Sequence, residues 1–118
     1  MLAFTETRLN DNSSPPELQG YTFEHVNSPL SAGGVGFYIS NSLTYNVRKD
    51  LSLNTNKCED LWIEVSSSVN KYRKTKGMKN IVIGVVYRHP GHKYETFCDN
   101  LCDLIDHLDK NKPNPNLT

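Results

Sequence analysis

The chain has 118 residues, of which 36% are hydrophobic, 9% aromatic and 22% charged, a profile that fits one globular domain and excludes a disordered or fibrous protein. Its 13 basic and 13 acidic residues cancel, so no whole-molecule field draws it to nucleic acid or to a membrane, and any such contact must be local. Three cysteines (Cys58, Cys98 and Cys102) without CxxC spacing indicate neither a disulfide framework nor a zinc module, which fits a reducing, intracellular compartment.

The opening MLAFTETRLN has neither the basic n-region nor the apolar stretch of a signal peptide. Leu2 to Thr5 reads as the end of a buried strand. Asn10 to Gly20 is dense in turn formers and reads as a loop. Tyr21, Phe23 and His25 alternate with Thr22, Glu24 and Val26, which predicts a strand with an aromatic face. Val35 to Ile39 and Leu43 to Val47 are the next two predicted strands, joined as a hairpin through Ser40 to Ser42.

Leu61 to Val65 and Ile81 to Tyr87 follow as strands. The second is apolar on both faces and is expected to be central, covered on two sides. It is also the longest apolar run, far short of the roughly 20 residues a membrane helix needs. Between these strands Lys71 to Lys79 is too polar to be buried and is expected at the surface. Phe97, Leu101, Leu104, Ile105 and Leu108 recur at helical spacing, with Thr96 and Asp99 as a candidate capping box. Asn111 and Pro113 are stop signals, and residues 112–118 read as a loop tail. The order of elements predicts one domain over residues 1–118, of α/β or α+β class.

Some residues suggest chemistry. Glu6 follows an apolar strand, and the carboxyl end of a strand is where α/β sites collect ligands; a carboxylate there suits Mg2+, which prefers oxygen and retains waters. An acid at a strand end is more often solvated or paired with a neighbour, here Arg8. Tyr87 ends the longest apolar strand, and its hydroxyl is a candidate phosphate contact at the same edge; the plainer reading is an apolar ring with a wet tip. His89 and His92 form an H-x-x-H pair with no third ligand at metal spacing nearby. Cys98 and Cys102 flank the helix stripe as small hydrophobes. The glycines of Gly33-Gly34-Val35-Gly36 precede a strand, so they are read as turn and close-approach positions rather than a phosphate loop, which would open a helix. Lys71, Arg73, Lys74 and Lys76, with Arg88, are candidate nucleic-acid contacts, against the simpler reading of a solvated loop.

Taken in order, LAFTETRL, GYTFEHVNSPLSAGGVGFYIS, CEDLWIEV, IVIGVVYRHPGH and the FCDNLCDLI helix resemble the apurinic-like endonuclease domain of LINE-type non-LTR retrotransposons, a branch of the endonuclease/exonuclease/phosphatase superfamily. The resemblance runs through most of the chain. It implies a two-sheet sandwich with flanking helix, truncated at both ends, and Mg2+-dependent cleavage of a DNA phosphodiester that starts target-primed reverse transcription. By this resemblance Glu6, in ETRL, is the metal-binding glutamate and Tyr87, in YRHP, the active-site tyrosine; Arg8 stands where many relatives have Trp.

Two features of that family, a strand ending in GDFN and a terminal Ser-Asp-His motif, are not found in the sequence, and no histidine here lies in such a context. The resemblance therefore implies a fragment that is inactive as it stands, since the residues of such a site act as a unit. It also implies open sheet edges prone to aggregation. The implied partners are DNA and the rest of the retroelement polyprotein where the frame continues, with nuclear residence, no membrane and no small-molecule cofactor. The alternatives are a non-catalytic nucleic-acid-binding remnant and a phosphatase branch acting on small phosphates.

Overall fold

The computed structural model describes residues 1–30, 32–66 and 79–110. They form six strands, β1 (Leu2–Thr5), β2 (Tyr21–Val26), β3 (Val35–Ser40), β4 (Tyr45–Val47), β5 (Cys58–Val65) and β6 (Ile81–Arg88), followed by one helix, α1 (Tyr94–Lys110). The strands make two three-stranded sheets of order β1-β3-β2 and β4-β5-β6. Every pairing is antiparallel, so the class is α+β. The tail at 112–118 and most of the predicted basic loop lie outside the described residues. Among the described residues no helix is long and apolar enough to cross a membrane.

Period-two alternation builds one core shared by both sheets. From β3 it takes Val35, Phe37 and Ile39; from β5, Leu61 and Ile63; from β6, Val85. Burying each of these side chains contributes roughly 1.5–3 kcal/mol. The opposite face of the first sheet carries the expected aromatic stripe. Phe23 and Tyr38 pair directly in the β2–β3 register, with ring centroids 4.6 Å apart, and Phe4 meets Tyr38 edge-on at 5.7 Å.

Five expectations are corrected. β3 and β4 do not form a hairpin: the Ser40–Ser42 turn carries the chain from one sheet to the other, since β3 pairs with β1 and β2 while β4 pairs with β5. β6 is not central but lies at the end of its sheet, with Ile81 61% exposed; β5 takes the middle place. β1 is an exposed edge strand rather than a buried one, its four residues all exposed. The helix starts at Tyr94, where Phe97 N–H already donates to Lys93 C=O at 3.0 Å, so Thr96 lies inside the first turn and cannot cap it. Cys102 is exposed rather than packed in the core.

Phe97, Leu101, Leu104 and Leu108 do share one half-buried face of α1, while Ile105 is exposed. His92 meets Phe97 edge-on at 5.9 Å, at the start of the helix.

Candidate functional site

The carboxyl ends of β1 and β6 meet. Glu6 follows directly on β1, and Tyr87 is the penultimate residue of β6. The Tyr87 hydroxyl donates to Glu6 Oε1 at 3.0 Å, across 81 positions of sequence. Glu6 is exposed and Tyr87 half-buried, so both groups reach solvent at one edge of the molecule. The contact with the carboxylate, then partial burial, raises the Tyr87 phenol above its ordinary value, because both disfavour a phenolate there.

Glu6 does not sit in relaxed backbone. It has φ 54°, as does Arg8, in the left-handed region that costs a side-chain-bearing residue about 1–2 kcal/mol. Two backbone bonds hold the turn: Arg8 N–H donates to Gly33 C=O at 2.9 Å and Thr7 N–H to Gly34 C=O at 3.3 Å. Such a conformation is uncommon for residues other than glycine; among the described residues Asn54, at φ 49°, is the third.

Behind this edge lies a buried pair of His89, which the sequence offers only as half of an H-x-x-H pair, and Glu59, which it does not single out. Glu59 is 4% exposed and His89 7% exposed. His89 Nε2 is 2.6 Å from Glu59 Oε2, while Glu59 Oε1 accepts Gly34 N–H at 2.7 Å. Burial of a carboxylate is costly unless its oxygens are satisfied, and here both have a donor. Glu59 stands directly opposite Tyr87 in the β5–β6 register, which puts the two side chains on one face of the sheet. The His89 ring in turn meets the Tyr87 ring edge-on at 5.1 Å. A signal for Glu59 was present: alternation places it on the same face as Leu61 and Ile63, where an acid is out of character.

This pair is not a nucleophile relay. Ser28 Oγ lies 3.4 Å from the same nitrogen, Nε2, that contacts Glu59. A serine relay needs acid and hydroxyl at opposite nitrogens of the ring.

The other candidates separate. Arg88 is engaged locally, its Nη1 donating to His92 C=O at 2.6 Å and its guanidinium 5.8 Å from the centroid of the Tyr94 ring. Lys71, Arg73, Lys74 and Lys76 lie outside the described residues. His89 and His92 do not act together, since His89 is taken by Glu59 and the buried Nδ1 of His92 has no hydrogen-bond partner among the described residues. An open cavity of about 670 Å³ is lined by residues including Glu24, His25, Arg48, Cys58, Glu59 and Trp62, but not by Glu6 or Tyr87. With Glu6 exposed and Tyr87 half-buried, the Glu6–Tyr87 site is an open edge rather than an enclosed cleft.

Among the described residues no group of three or more His, Cys, Asp or Glu is placed to hold a metal ion. Glu6 offers one exposed carboxylate, with Tyr87 on one of its oxygens, and a lone oxygen ligand of this kind suits only a hard cation that keeps most of its waters beside a phosphate. It does not fit zinc, which takes several nitrogen or sulfur ligands. No family model, curated protein or solved structure matches the chain.

Proposed function

We propose that the chain is part of a retroelement-type, Mg2+-dependent DNA endonuclease of the endonuclease/exonuclease/phosphatase kind, and that Glu6 and Tyr87 are its cation- and phosphate-binding edge. The observation that carries this reading is the 3.0 Å contact between the Tyr87 hydroxyl and Glu6 Oε1. It joins the two residues that the family resemblance names, from opposite ends of the chain.

In this reading Glu6 supplies the anionic oxygen that holds the cation. Bound there, Mg2+ would lend positive charge to a phosphate oxygen. Tyr87 orients the carboxylate by donating to it, and its ring, wedged against His89, keeps the hydroxyl at the strand end. The left-handed backbone at Glu6 turns the carboxylate out toward solvent, where a phosphodiester has access.

Neither GDFN nor Ser-Asp-His occurs in the sequence, and His89 is turned inward onto Glu59, so His89 does not serve the edge as a general base. We therefore read the site as one that binds cation and phosphate and does not by itself cleave, its natural setting being DNA in the nucleus together with the rest of a retroelement polyprotein. Incubation with supercoiled plasmid and Mg2+ tests this. Undiminished supercoiled plasmid is expected. Nicking that disappears in Glu6→Ala would contradict the inactivity while upholding the site.

A further inference from the structure

We propose that Glu59 and His89 are positioning residues that hold Glu6 in its cation-binding attitude, a role that rests on the reading of Glu6 and Tyr87 given above. Glu59 joins three segments that are far apart in sequence. Its Oε2 meets His89, just after β6. Its Oε1 takes the Gly34 N–H, in the turn before β3. That turn returns two carbonyls, from Gly33 to Arg8 N–H and from Gly34 to Thr7 N–H. Glu6 is the next residue back, in its left-handed conformation.

The fit is close on both sides of the turn. A Cβ on Gly33 would overlap Glu59 Oε1 and stand 2.7 Å from His89 Cε1, and a Cβ on Gly34 would overlap Thr7 Oγ1. Both glycines have positive φ, 100° and 90°, which presents the Gly34 N–H to Glu59 and the Gly33 carbonyl to Arg8. The same pair fixes the other half of the site. Glu59 lies opposite Tyr87 across the β5–β6 ladder, and His89 packs on the Tyr87 ring. One buried acid and one imidazole thus set both Glu6 and Tyr87 without touching the cation. Neither residue touches Glu6 itself, so their effect on a cation there passes through the Gly33-Gly34 turn and the Tyr87 ring.

The experiment uses the 118-residue chain, with Mn2+ alone as the probe, read by paramagnetic broadening of assigned NMR signals. Removing one partner would strand the other in the core, so the test variant removes both, Glu59→Leu with His89→Phe. Replacing a buried pair by apolar groups of similar volume is often tolerated. Mn2+ affinity at Glu6 is expected to be lost in part in the double variant, with faster amide exchange at Thr7 and Arg8 and unchanged exchange in the β4–β5 ladder. Glu59→Gln, which keeps an acceptor for Gly34 and a group to meet the imidazole, is expected to restore both.

Wild-type affinity and Arg8 protection in the folded double variant would overturn the proposal. A second measurement needs no substitution: in the wild-type chain Arg8 and Gly34 amides should exchange through one common opening. Fast exchange at Arg8 beside a protected Gly34 would also overturn it. Absence of Mn2+ broadening at Glu6 in the wild type would instead sink the cation site, while the two exchange measurements would still decide whether the pair holds the turn.

Discussion

The Tyr87 hydroxyl and the Glu6 carboxylate are 3.0 Å apart, although one lies near the end of β6 in the second sheet and the other follows β1 in the first. Because Tyr87 donates to an acid, its phenol is raised above the ordinary value of 10.0, first by that hydrogen bond and then by burial. The added stability is fully present below the ordinary phenol value and is lost as pH rises through the folded value. Titration of the Tyr87 ring by NMR is expected to show this upward shift, and Glu6→Gln should bring the phenol back toward 10.0. Identical titration in the wild type and the variant would show that the contact does not form in solution.

Gly33 and Gly20 provide a controlled pair of substitutions. Both have positive φ, 100° and 84°. A Cβ at Gly20 meets nothing within 4 Å, whereas at Gly33 it runs into Glu59 and His89. Gly20→Ala should cost only the backbone strain, about 1 kcal/mol. Gly33→Ala should cost that and a further ~1–3 kcal/mol for overpacking. Thermal melts of the two variants compare them directly, and equal losses would mean that the buried pair yields freely.

Gly84 lies opposite Trp62 in the β5–β6 ladder. Its backbone is ordinary, yet an added Cβ would overlap the indole ring. Gly84→Ala is expected to displace the ring and to destabilise by about 1–3 kcal/mol. Trp62 is the sole tryptophan of the chain, so its fluorescence reports the displacement without interference. An unchanged spectrum and melting temperature would argue against the packing of this ring on the glycine.

The cysteines should differ in reactivity. Cys58 is 5% exposed, and burial, then the neighbouring Asp60 and Glu59 carboxylates, pushes its thiol up to about 11. Thiolate is the reactive form. At pH 8 iodoacetamide should label the exposed Cys102 readily and spare Cys58 until the chain is denatured. Equal labelling under native conditions would contradict the buried placement.

Much of the fold was legible because its strands alternate cleanly. Tyr21, Phe23 and His25 announce one face of β2, and Leu61, Ile63 and Val65 one face of β5. What local pattern does not encode is the partner. Ser40 to Ser42 turns the chain equally well into a hairpin or into a second sheet, and only the shared core, with Val35, Phe37 and Ile39 facing Leu61 and Ile63, selects the second. β6 read as central because it is apolar on both faces, yet part of that pattern serves Trp62, whose ring covers Gly84. Glu6 and Tyr87 were legible as residues at strand ends and through the family resemblance. Glu59 escapes the local pattern because apolar alternation announces the strand only from Leu61. It extends to Cys58, since Glu59 and Asp60 both find partners: His89 and Gly34 for the first, Leu53 N–H and the Trp62 indole for the second.

The most direct test of the site is Mn2+ titration of the wild-type chain and of Glu6→Gln, followed by site-resolved NMR broadening. The expected result is broadening that begins at Glu6 and Tyr87 and vanishes in Glu6→Gln. Broadening that centres elsewhere, or that survives the substitution unchanged, would contradict the assignment of this edge as a cation site.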